Sequence, residues 1–470
     1  MARTEQSRRG ERGQALPLGL FLLFLSAAVM YFMFNTGQVV GEKIRVTNAA
    51  DAAAYSVGVQ QARVLNYDAY TNRAIVANEI AIAQMLSLQS WVHYFDTAID
   101  NVGAVSTYSA TYLVFGGDFL KALQFTAALG GTAWADAYTG GNGSDYVVMA
   151  TDYAAMGIVT AHNAAAIALA SSQDLVHASM LLGVASTSLA NDVVKLMDSQ
   201  MSAQVVLTSN GFDGFTKRYA GSERNRIADV IMRSRDPFTA NRGWTLTGNM
   251  ILTKDIALKK RGGTELIGFD QWKAMDTLEG HARHFGCGKL GLSWCGDIKW
   301  EMAWGGARTK AGGFGFSGKF GIAAPKEGWL GGSYAENGDA AKRADKEMNN
   351  TPGFTGLTSS RDLNDLSPGA SGKTGVSVVV TKSSGDVRTT GGSALTKPVG
   401  QMNMFSASGA GNKIAALSRA EVYFERPVAR ADGKTERPSL YNPYWGVRLV
   451  APTAGDKAWV AAQQSLVFKP

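Results

Sequence analysis

The chain has 470 residues, 46% of them hydrophobic, and a formal net charge of +7. That length suits two or three domains, and that apolar content excludes a disordered polypeptide. The basic residues are scattered, with Lys259-Lys260-Arg261 the one compact triplet, so the excess reads as a solvated surface and nucleic-acid binding is not expected.

Residues 1–13 are polar and carry Arg3, Arg8, Arg9 and Arg12. Residues 15–34 then carry no charge. At about 1.5 Å of rise per residue, such a run matches the ~30 Å hydrocarbon core of a bilayer. Leu16, Leu20, Leu23, Phe24 and Phe34 mark this predicted membrane anchor. A cleaved signal peptide has an apolar run of about 7–15 residues followed by small residues at the cleavage site, and neither feature is present. No second stretch is as long and uninterrupted, which predicts a single crossing. The arginines before the span outweigh Lys43 and Arg45 after it, so the N-terminus is expected in the cytoplasm and the bulk outside.

Beyond the span, Val46, Ala50, Ala53, Val57, Val64, Ile75, Ile82 and Leu86 recur at helical spacing. Ala49, Ala50, Ala53 and Val57 form a face of small side chains that admits close approach of another element. Two occupants are open: the chain's own later helices, or partner subunits. Residues 91–205 stay rich in Ala, Met, Leu and Val, and the longest helical pattern covers 164–201. Two to four helices are expected here, folding back along the first. His93, His162 and His177 lack paired ligand spacing and read as core or surface histidines.

The pattern changes near Asn210. A helix over 222–234 is predicted to end at Asp236-Pro237, because a proline disfavours helix at the residue before it. Strands are predicted at 244–252, 263–269, 297–304, 375–382, 419–426 and 444–450, separated by Gly- and Ser-rich loops. The expected organisation is a cytoplasmic tail (1–13), an anchor (14–36), a helical stalk or bundle (37–205) and a β-rich domain (206–470). The fold class is α+β: a transmembrane helix continuing into a helical stalk, then a mostly antiparallel β-rich periplasmic domain.

Two stretches imitate a phosphate loop. In residues 313–319 the Gly-x4-Gly-Lys spacing is present, but Phe320 replaces the hydroxyl that would hold magnesium. Gly372-Lys373-Thr374 has the hydroxyl, but Ser367 stands in place of the first glycine and a strand follows instead of a helix. The arginines at 224, 226, 233 and 235, beside Asp236, could bind an anion or form a solvated helix face with a capping carboxylate. Cys287 and Cys295 fall in the exported half, where a disulfide is the default. With His281 and His284 they could instead form a zinc site, or remain free thiols. Trp272, Trp294, Trp300 and Trp304 could line a ligand pocket of a tethered periplasmic binding module. No nucleophile or metalloprotease motif is present, so no catalytic residue, cofactor or metal is expected.

Gly13-Gln14-Ala15-Leu16 leading into an apolar helix, followed by residues 48–54 (NAADAAA), resembles the TadE/TadG-like family of tight-adherence (Flp) pilus systems. Residues 70–79 (YTNRAIVANE) resemble longer members of that family. The resemblance implies a non-enzymatic, inner-membrane scaffold or minor pilus component, with other pilus-assembly proteins or pseudopilins as partners. Leu18 stands where a processed pilin carries glutamate, so peptidase processing is not expected. Some family members carry a metal-binding D-x-S-x-S motif; residues 198–202 (DSQMS) do not fit it, and no such site is expected.

Overall fold

A computed structural model describes residues 15–100, 143–181, 184–206, 211–212, 214–248, 253–284, 298–313, 348–383, 386 and 413–464. Helix α1 runs unbroken over Ala15–Asp100. Pro17 lies in its first turn, where the missing amide has no intrahelical partner to lose. Helices α2 (Gly143–Leu181) and α3 (Val184–Met197) follow. The remainder is mostly strand, as expected for an α+β chain, and it groups with the helices into two compact units. The units do not follow chain order: one comprises residues 1–67, 175–216 and 363–470, the other 68–174 and 217–362.

The first unit is built on a four-stranded antiparallel sheet. Its strands are β1 (Met201–Val205), β9 (Lys373–Ser383), β10 (Lys413–Phe424) and β11 (Trp445–Val450), in that spatial order. Strand alternation gives the sheet two faces. Val376, Val378 and Val380 join Ala203, Val205, Ala416 and Ala420 against α1 and α3. Val379, Ala415 and Leu417 point the other way, onto Val460 and Trp459 of helix α6 (Ala454–Gln464). Helix α6 starts with a reciprocal cap: Thr453 N donates to Asp456 Oδ2 at 2.8 Å and Asp456 N donates to Thr453 Oγ1 at 3.2 Å.

Each edge strand of this sheet is held by an asparagine from a helix. Asn191 of α3 donates to Ala203 O at 2.8 Å and accepts from Ala203 N at 2.9 Å. Asn66 of α1 treats Trp445 of β11 in the same way, at 3.0 and 3.1 Å. Backbone groups that would otherwise template pairing with a foreign strand are thereby occupied. The expected helix over 164–201 stops earlier, at Met197. Asp198 Oδ1 accepts from Gln200 N at 2.9 Å, forming the turn that feeds β1.

The second unit contains a five-stranded sheet, β3 (Trp244–Gly248), β4 (Thr253–Ile267), β5 (Gln271–His284), β6 (Ile298–Ala311) and β7 (Met348–Thr351). All its pairings are antiparallel except β6–β7. Short strands β2 (Thr216–Tyr219) and β8 (Ser360–Leu363) pair with each other. Helix α4 (Asn225–Ser234) ends before Pro237, as predicted. Asp236 then caps the short helix α5 (Pro237–Ala240), accepting from Thr239 N at 3.0 Å.

Candidate functional site

The anchor residues of α1 meet no protein. Leu16, Leu20, Leu23, Phe24 and Phe34 are 75, 53, 64, 64 and 52% exposed. In water such a run would cost free energy at every residue; in hydrocarbon it costs none. Cover begins as the run ends: Asn35 is buried, its Nδ2 donating to Tyr31 O at 2.9 Å, and Thr36, Gln38 and Val39 are half-buried.

The small-residue face comes next, and the chain's own sheet covers it. Ala49, Ala50, Ala53 and Val57, with Val46 and Ala54, are fully buried against β1, β9, β10 and α3. The cover in this chain is its own sheet together with α3, and these four residues are fully buried beneath it. Gly58 shows how close the approach is. A Cβ there would lie 2.8 Å from Val447 Cγ1 and 2.9 Å from Ala420 Cβ. Full burial of Val46 and Val57 contributes about 1.5–3 kcal/mol each.

Between anchor and face lies a buried ionic link that the sequence reading missed. Lys382 Nζ donates to Glu42 Oε2 at 2.9 Å and to Asp198 Oδ2 at 2.7 Å. Lys382 and Glu42 are 4 and 5% exposed. The two carboxylates hold the Lys382 ammonium above its ordinary pKa despite the opposing effect of burial, and the ammonium holds Asp198 below the usual carboxylate range. Lys43 Nζ donates to Ala415 O, tying the same turn of α1 to β10. Strand alternation was the available signal: Lys382 has the parity of Val376, Val378 and Val380.

In the second unit, α1 meets the sheet through Trp91, Tyr94 and Phe95 against Leu278 and Ala307, and through buried polar bonds. Ser87 Oγ bonds Thr264 Oγ1 at 2.7 Å, Ser90 Oγ donates to Asp276 Oδ2 at 2.7 Å, and Thr97 Oγ1 accepts from Gly306 N at 3.0 Å. Asp276 is fully buried between two cations: Arg242, at 3.0 and 2.9 Å, and Lys260. Those cations keep its carboxyl low although burial pushes it up. Burial lowers Lys260 to about 8, against the pull of Asp276. Glu79, also fully buried, accepts from Trp272 Nε1 at 3.2 Å and from Thr358 N at 3.4 Å, and burial raises its pKa to about 7.

The other sequence candidates disperse. His93 Nε2 bonds Asp152 Oδ1 at 2.8 Å, where Gln89 and Asn349 also converge. Asp152 and these two amides line a cavity of about 420 Å³ with Tyr153. His162 bonds Asn78 at 2.7 Å, and His177 stacks on Phe212 with centroids 5.4 Å apart. The arginine group binds no common centre: Arg226 pairs with Asp362, Arg233 with Asp229, and Arg224 and Arg235 donate to Leu357 O and Thr264 O. Gly372 has φ of +57° and Lys373 opens β9, so no helix follows that phosphate-loop lookalike. Trp272 pairs with Ala311 and Trp300 with Ala282, at opposite ends of the β5–β6 ladder. About ten residues of strand, or ~33 Å, separate these two backbone positions. Trp294, Cys287 and Cys295 lie outside the described residues, as does most of the glycine-rich loop at 313–319; His281 and His284 are placed only as backbone of β5. No group of three or more metal-ligating side chains occurs among the described residues.

The described geometry thus offers a hydrocarbon-facing helix fused to a rigidly packed exit, and no assembled catalytic set. Residues 13–61 match the family model "Putative Flp pilus-assembly TadE/G-like". No curated protein and no solved structure matches the chain. The TadE/G-like segment begins just before the anchor and includes Glu42, the small-residue face and Gly58. It therefore contains the hydrocarbon-facing run and the side of α1 that seats the first sheet.

Proposed function

We propose that the protein is a single-pass inner-membrane scaffold or minor component in assembly of a Flp-type pilus, with its N-terminus in the cytoplasm and both units in the periplasm. The TadE/G-like match supports a role in pilus assembly. The observation that carries the structural reading is the division of labour along α1: residues 16–34 are exposed apart from half-buried Tyr31, while the face of Val46, Ala49, Ala50, Ala53, Ala54 and Val57 is sealed by the chain's own sheet and α3. Such a helix fixes a folded load to a bilayer without offering a reaction centre. Helix α2 is also long and apolar enough to cross a membrane, but 28% of its most apolar 18 residues are buried and it joins polar networks through Asp152 and Gln173. That packing favours one crossing.

Orientation rests on the arginines of residues 1–13. A reporter active only outside the cytoplasm is expected to work when fused after Pro470 and to fail when fused after Gly13. Deletion of the gene is expected to abolish pilus output, with the chain co-purifying with other pilus-assembly proteins. Normal pili in the deletion strain would refute the assembly role.

A further inference from the structure

The cavity beside Asp152 has a chemistry that anchoring does not use. Its walls come from α1, α2 and the β7 segment, all within the second unit. Asp152 Oδ1 accepts three bonds there: from Gln89 Nε2 at 2.6 Å, His93 Nε2 at 2.8 Å and Asn349 Nδ2 at 2.7 Å. Gln89 is itself fixed, because its Oε1 accepts from Thr351 Oγ1 at 2.6 Å. No described residue bonds Oδ2, and the Asp152 side chain is 36% exposed. Burial pushes the Asp152 carboxyl up, but the bonds from His93, Gln89 and Asn349 outweigh it and hold it below the usual carboxylate range. The result is an ionised carboxylate, fixed in place, with one oxygen left to the cavity.

A volume of about 420 Å³ admits a small organic group. Among the described residues that line it are two carboxylates, Asp145 and Asp152, and neither lysine nor arginine, so the cavity favours a cation. Even with His93 charged, one net negative charge would remain. Two kinds of cation fit poorly. The two carboxylates lie seven residues apart on α2, about 10.5 Å of rise, and no group of three metal-ligating side chains occurs among the described residues, so a divalent ion would lack its oxygen shell. A guanidinium fork pairs with both oxygens of a carboxylate, whereas Oδ1 already has its three donors. An ammonium needs only Oδ2. Val148, Met149 and Met156, each three or four residues from Asp152 on α2, give an adaptable apolar wall for the chain that carries it.

We propose that this cavity binds a primary alkylammonium group, its nitrogen donating to Asp152 Oδ2 and its alkyl chain packed among Val148, Met149 and Met156. A free alkylamine or a lysine side chain of a partner protein supplies the same chemistry. The site stands independently of the anchor and of pilus assembly.

The test is calorimetric titration of the full chain in a neutral detergent, with the detergent blank subtracted, against n-pentylamine, n-pentanol and methylamine. n-Pentylamine should bind more tightly than either of the others, because pentanol lacks the charge and methylamine lacks the chain. Asp152→Asn keeps an oxygen to accept from Gln89, His93 and Asn349 but puts an amide donor in place of Oδ2. It should weaken n-pentylamine by about tenfold or more while the melting midpoint holds. Should that variant fail to fold, Met149→Trp leaves the three bonds in place, fills the apolar wall and should weaken binding likewise. Equal affinity for pentanol, unchanged affinity in either folded variant, or no binding of n-pentylamine to the native chain would overturn the proposal. Nα-acetyl-lysine methylamide and its Nε-acetylated form distinguish the sources. Binding of the first and not the second assigns the group to a protein side chain; binding of n-pentylamine with neither lysine compound assigns it to a free amine.

Discussion

Three single residues set the chemistry of the α1 interior. Lys382 is the first. Replacing it with alanine would leave Glu42, 5% exposed, with only the exposed Arg45 as cation at 3.3 Å, at a cost below the about 3–5 kcal/mol of a buried charge left wholly unpaired. The expected outcome is a lower unfolding midpoint, measured by thermal melting of the full chain in detergent; an unchanged midpoint would show that the pair carries no weight. Gly58 is the second. Even alanine there overlaps Val447 and Ala420, so Gly58→Ala should destabilise, and Ala53→Leu should act likewise through overpacking at about 1–3 kcal/mol. Both should reduce the steady-state level of the protein. Normal level with lost pilus output would instead mean that this face meets a partner in the assembled state.

Glu79 gives a pH prediction. Its folded pKa of about 7 lies above the ordinary glutamate value of 4.5, because burial disfavours the carboxylate. The folded state therefore holds a proton that the unfolded state releases between those values, so stability should fall as pH rises from 4.5 to 7 and level off above. Glu265, raised by burial to about 7, adds to the same slope. Melting temperatures across that window should decline in the native protein and decline less in Glu79→Gln. An identical slope in that variant would remove Glu79 from the account.

At the scale of elements, local periodicity was legible and long-range partnership was not. The strands predicted at 375–382 and 419–426 correspond to β9 and β10, and the apolar run announced the anchor. The same reading recognised the small-residue face but not what covers it, because spacing on one helix says nothing about which distant strand approaches. Strand β1 was absorbed into a helix because Met201–Val205 is short, follows a long helical pattern, and gains its identity by pairing with β9 more than 170 residues later. Asp276 with Arg242 and Lys260 carried no signal at all; three charges scattered along the chain meet only once β4 and β5 are registered. The asparagine clamps on the sheet edges were equally invisible. Asn66→Ala should leave Trp445 N and O of β11 without the partners they now have, and hydrogen exchange at Trp445 should accelerate while that at β9 stays slow. Equal protection at Trp445 in the variant would count against the clamp.

At the scale of the whole molecule, the sequence suggested a chain read from membrane outward, whereas each compact unit is assembled from separated segments. The first unit takes its helix face from residues 46–57 and the strands that cover it from 201–205, 373–383 and 413–424. The α1 face cannot be buried until those late strands have been made, so the anchor helix is expected to carry exposed Val46 and Val57 during synthesis. Truncation after residue 372 removes β9, β10, β11 and α6 together. That variant should insert its anchor normally yet be cleaved within residues 46–66 by a protease that spares the full chain at the same dose. It should also accumulate poorly, since most of the cover over that face is lost. If the truncated chain instead accumulates like the full one and resists cleavage there, another element must cover α1, and the proposed rigid seating of the load on its anchor fails with it.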